Sequence, residues 1–156
     1  MVRTASIVLL SVLAFVSVTA LAGGIALIAG SLDPALGSVL VPPMEYLEGS
    51  PFTSYVVPGL ALIVLVAGSQ ALAFFAVLRH AGRAAFLAAA TGFACLIWIF
   101  IQMVFIPFSP LQAVYFTAGM LELGLVLVHL GVLDFEPYPR RSTATSARRP
   151  TEPAGR

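Results

Sequence analysis

The stretch from Ala84 to Ile106, AAFLAAATGFACLIWIFIQMVFI, decides how the rest of the chain is read. It contains no Asp, Glu, Lys or Arg, and its polar side chains are limited to Thr91, Cys95, Gln102 and the indole of Trp98. A hydrocarbon core ~30 Å thick is crossed by ~20 residues rising ~1.5 Å each. In lipid the backbone must satisfy its own hydrogen bonds, so such a run is a helix. The strict alternation of a membrane barrel strand is absent.

Three more runs follow the same rule, at about residues 5–30, 55–78 and 111–130, and none holds a lysine or arginine. The expected fold class is all-α: a four-transmembrane-helix bundle over residues 1–133, followed by a tail at 134–156. The tail is rich in Pro, Ser, Thr and Arg, and disorder is its expected state. Composition agrees with a lipid solvent. Of the 156 residues, 60% are hydrophobic and 10% charged, where a soluble domain carries about 25% charged residues. Mean hydropathy is +1.01. The lone cysteine, Cys95, lies in the apolar run, reads as a small core residue and says nothing of redox compartment.

The first run admits two readings. Arg3, an apolar stretch and Ala20-Leu21-Ala22 resemble a secretory signal cleaved after Ala22. The apolar run continues past that point to Ala29, a length that suits a retained span. Arginine placement sets the orientation. Arg3 precedes the first run, Arg79 and Arg83 lie between the second and third, and Arg140, Arg141, Arg148, Arg149 and Arg156 follow the fourth. The opposite loops have no arginine, and the larger holds Asp33, Glu45 and Glu48. With four spans, both termini are expected on the cytoplasmic side of the cell membrane. Cleavage would leave three spans with the same bias, so the arginines do not choose between the two readings.

The long loop, 31–54, carries its own signals. Asp33-Pro34 starts a turn. Pro42 to Gly49 reads as a short helical turn closed by glycine. Ser50-Pro51 and Ser109-Pro110 both read as an N-cap with proline at the first helical position. Pro58 falls early in the second helix and is expected to kink it.

Glu122 stands out, because an acidic side chain at the centre of a span is disfavoured by about 2.5–3.5 kcal/mol. Such residues face the bundle or a cavity and are site candidates by default. Tyr115, Gly119, Glu122, Val126 and His129 share one face of the fourth helix. Ala88, Gly92, Cys95, Ile99 and Gln102 form a matching stripe on the third, with Ala88 and Gly92 allowing close approach. Together with Gln70, the candidates Glu122, Gln102 and His129 outline a polar track. The competing reading is that each makes one interhelical hydrogen bond and specifies packing. His80 and His129 could approach the same level. Glu122, however, is about 10 Å along the helix from His129, so no metal site is expected. No catalytic set and no cofactor site is recognisable.

Taken in order, several segments look familiar: Leu47-Glu48-Gly49-Ser50-Pro51-Phe52, Tyr55-Val56-Val57-Pro58-Gly59-Leu60, Ile97-Trp98-Ile99 with Gln102, and Leu111-Gln112 with Tyr115-Phe116 and Gly119. Over residues 5 to 132 the chain resembles small four-helix membrane proteins of actinobacteria and other bacteria, whose function is unassigned. The resemblance implies four spans and transfers no catalytic residue, and Glu122 is outside its pattern. The likeness to DoxX-like proteins is architectural only.

Three functions remain open. The first is a structural or accessory, non-enzymatic membrane protein, with a membrane complex or a second copy of the chain as partner. The second is a carrier of a proton or small solute that uses Glu122. The third is a lipid- or quinone-linked protein, with Tyr46, Phe52, Tyr55 and Phe108 framing a pocket. The lipid bilayer is the expected partner in every case, and nucleic acid in none.

Overall fold

A computed structural model of the protein describes residues 2–131, with side chains from Thr4 onward. The expectations for the tail at 134–156 and for the Arg3 side chain lie outside the described residues. Those residues form helices and turns, with no strand among them. The first helix, α1, is Val2–Leu32, and a short α2, Pro34–Leu40, follows it. A 3-10 turn at Met44–Leu47 follows within the loop. The second span is built of three pieces: α3, Val56–Ala61, a π-helical segment, Leu62–Gly68, and α4, Ser69–Leu78. Then come α5, Ala84–Phe105, and α6, Pro110–His129.

Four of these helical stretches are long and apolar enough to cross a membrane: Thr4–Leu32, Val56–Leu78, Ala84–Phe105 and Pro110–His129. Only 28–33% of their most apolar windows is buried inside the chain. The remaining apolar surface faces outward, where lipid rather than water suits it. The chain is a multi-pass membrane protein with an all-α four-helix bundle.

The helices are arranged as a ring. α1 packs against the second span and against α6, and α5 packs against the same two. The second span and α6 therefore face each other across the bundle. One end carries the start of α1 and the tight turn at 79–83, where His80 takes a φ of 51°. This is the arginine end. The other carries the long loop and is the loop end.

Local chemistry explains the boundaries. Asp33 caps α2 through a 2.9 Å bond from the Ala35 amide to its Oδ1, with Pro34 in the first turn. The Asp-Pro pair thus opens a helix of its own rather than a bare turn. Ser109 and Gln112 form a reciprocal capping box at the start of α6, which satisfies two otherwise orphaned amides. Ser50 does not start the second span. Its hydroxyl accepts from the Phe52 amide within the loop, and the helix begins only at Val56. That places Pro58 in the first turn, where the missing amide hydrogen is tolerated. The irregularity expected at Pro58 lies four residues later, in the π-helical segment. The Ser17 hydroxyl donates to the Ala67 carbonyl of that segment at 2.9 Å, and so holds α1 to the point where the helix widens.

Glycines set two close approaches of α1. A Cβ on Gly24 would sit 2.8 Å from the Gly59 carbonyl oxygen, and one on Gly59 would sit 2.9 Å from the Gly24 oxygen. Near the loop, a Cβ on Gly37 would meet the Gly30 oxygen at 2.8 Å. Small residues at such crossings let backbones touch.

The core is layered. At the arginine end Leu9, Leu13, Ala73, Val77, Ala88 and Val126 are buried together. Nearer the loop end, Val16, Ala20, Val66, Ala67, Cys95 and Ala118 form a second cluster. Cleavage after Ala22 would remove Leu9, Leu13, Val16 and Ala20 from these two layers.

Candidate functional site

Between the two apolar layers lies a sealed polar contact. Gln70 on α4 and Glu122 on α6 are each 0% exposed. The Gln70 Nε2 donates to Glu122 Oε2 at 3.0 Å and makes a longer contact, 3.5 Å, to the Thr91 carbonyl. The bond spans the diagonal of the helix ring. Space for the carboxyl comes from Gly92, where a Cβ would approach Glu122 Oε2 to 3.3 Å. The Thr91 hydroxyl is turned back to the Ala88 carbonyl at 3.0 Å. The second oxygens, Gln70 Oε1 and Glu122 Oε1, are buried without a partner among the described residues.

The other two candidates sit elsewhere. His129 is exposed at the arginine end, its Nδ1 3.4 Å from the Ser6 hydroxyl. Gln102 lies near the loop end of α5 and makes no side-chain hydrogen bond among the described residues. The polar track therefore resolves into three separate places. Among the described residues no group of three or more His, Cys, Asp or Glu side chains could hold a metal ion.

Gln102 belongs to a cavity of about 500 Å³ at the loop end. Its floor and one wall are α1 and the second span, at Gly23, Leu27, Pro58 and Leu62. The facing wall is α5 at Trp98, Ile101, Gln102 and Phe105, spaced so that they share one helix face. The loop covers it with Tyr46, Phe52 and Tyr55, while Ser109 and Gln112 at the start of α6 close the rim. Among the described residues no charged one lines it. Tyr55 is buried, and its hydroxyl donates to the Pro43 carbonyl at 2.9 Å, tying the start of the second span to the loop. Phe108, expected in this group, is 70% exposed and takes no part in the lining. A concave, mostly apolar site of 300–1,000 Å³ with a few placed polar groups is the usual form of a small-molecule pocket.

No family model, curated protein or solved structure matches the chain.

Two residues of this geometry escaped the sequence reading. Thr91 contributes through its backbone carbonyl, and residue type gives no sign of that. Gln112 did carry a signal: Ser109-x-x-Gln112 has the spacing of a capping box.

Proposed function

We propose that the protein is a non-enzymatic, accessory membrane protein that binds a lipophilic small molecule in the loop-end cavity. The observation that carries this is the cavity itself: about 500 Å³, lined mainly by apolar and aromatic side chains and by no charged group among the described residues. Catalysis would call for acid and base groups held together, and no Asp, Glu, His, Lys or Arg among the described residues lines the cavity. A carrier role for Glu122 finds less support. The carboxyl is sealed from solvent, 3.0 Å from Gln70, while Gln102 and His129 are not near enough to extend it into a path. The arginine distribution favours the cell membrane with both termini cytoplasmic. The likeness to small four-helix membrane proteins of bacteria fits the same picture.

The chain has a single tryptophan, and Trp98 lines the cavity. Its fluorescence is therefore a direct report on occupancy. The expected result is a retained neutral lipid in native mass spectra of gently extracted protein, and a Trp98 emission shift when delipidated protein is given a lipophile. Failure of both would refute the proposal.

A further inference from the structure

The polar groups around the cavity are not equivalent once their internal bonds are counted. Tyr55 gives its hydroxyl hydrogen to the Pro43 carbonyl. The Ser109 hydroxyl accepts from the Gln112 amide, and Gln112 Oε1 accepts from the Ser109 amide at 3.0 Å. That second bond fixes which way the Gln112 side chain points and occupies its acceptor, leaving the NH₂ group as a donor. The indole N–H of Trp98 is buried without a partner among the described residues, and an indole can only donate. Gln102 brings a whole amide with no side-chain bond, four residues beyond Trp98 on the same helix face. Unused hydrogens thus stand on Trp98, Gln102 and Gln112, on the α5–α6 side of the cavity. The wall below them, at Gly23 and Leu62, is apolar.

From this asymmetry we infer that the cavity selects an uncharged amphiphile whose carbonyl oxygen accepts hydrogen bonds from Gln102 and Gln112 while its hydrocarbon part lies against α1 and the second span. A charged head would be left without a counter-ion in the lining, and a pure hydrocarbon would leave the donors unmet, which is unfavourable in an apolar site. Ester carbonyls of a neutral glyceride and ring carbonyls of a lipophilic quinone share this chemistry.

The inference rests on the lipophile-binding reading, and the test separates the two. Trp98 emission of delipidated protein in micelles is titrated with dioctanoylglycerol, with its diether analogue that lacks both carbonyls, and with decyl-benzoquinone. A tryptophan octyl ester in the same micelles sets the collisional background for the quinone. At least one carbonyl probe is expected to bind about tenfold more tightly than the diether, the scale of one well-placed hydrogen bond. Which carbonyl probe wins identifies the source. Gln102→Leu is expected to bring that probe to within about twofold of the diether, with its unfolding midpoint in detergent checked against the unaltered chain. If the diether binds as well as both carbonyl probes, the head-group inference fails and lipophile binding stands. If no probe moves Trp98, both fail. The ester-to-ether comparison is made in the unaltered protein, so it holds even where the variant folds poorly.

Discussion

The middle of the bundle and its loop end treat the same kind of residue in opposite ways. In the middle, the Gln70 amide is fully buried and closed on Glu122 at 3.0 Å. At the loop end, the Gln102 amide has no side-chain hydrogen bond among the described residues and lines a cavity. A polar side chain inside an apolar bundle must find a hydrogen bond. Where another helix supplies it, the residue fixes how helices meet. Where no helix does, the residue is available to a molecule from outside. Both residues are glutamines in apolar runs, and only their surroundings assign them different work.

The comparison can be broken most forcefully at Gly24. Gly24→Val places branched carbon where the Gly59 carbonyl already lies within 2.8 Å of a Cβ position. It is expected to destabilise by about 3 kcal/mol or more, since overpacking typically costs 1–3 kcal/mol and backbone cannot yield as a side chain does. Stepwise SDS unfolding of the micellar protein measures it. An unchanged midpoint would mean that α1 and the second span do not touch there.

Next comes the diagonal pair. Glu122→Ala should cost about 2–3 kcal/mol by leaving Gln70 unmet and a void beside it. Glu122→Gln should recover most of that loss, and the double change of Gln70 and Glu122 to Leu should be close to neutral. A Glu122→Gln protein that lost pH-driven flux in proteoliposomes would move the pair from packing to transport.

Ser109→Ala removes one arm of the capping box and is expected to cost about 1 kcal/mol. The other arm, from the Ser109 backbone amide to Gln112 Oε1, survives the change, so the preference for carbonyl probes should persist. The smallest effect on folding is expected at Gln102→Leu, within about 0.5 kcal/mol, alongside the largest effect on probe selectivity. That pairing of outcomes is the sharpest form of the contrast between the two glutamines.

The four spans were legible because lipid imposes a length and a composition that no other environment does. Glu122 and Gln70 were legible as anomalies, but their meeting was not. Periodicity places residues around one helix and says nothing of how two helices are rotated against each other. The π-helical segment at Leu62–Gly68 makes this harder, since counting at 3.6 residues per turn from Val56 arrives at Gln70 on the wrong bearing. Gln102 was grouped with Glu122 as polar members of facing helix stripes at different depths, yet Gln102 lines the loop-end cavity while Glu122 is sealed in the core. Three of the four aromatic residues named for a pocket do line one, while Phe108 points out. Ser50-Pro51 shows the limit of short signals: the same dipeptide opens a helix at Ser109 and a loop turn at Ser50.

The burial of Cys95 has a practical side. Its thiol is 1% exposed and contacts the Tyr115 carbonyl at 3.6 Å, so water-soluble maleimides should pass the unaltered protein by. A cysteine introduced at Glu48 or at His80 then becomes the one reactive thiol. In intact cells an impermeant reagent should tag the variant at 48 and spare the one at 80. The reverse pattern would turn the whole protein over in its membrane.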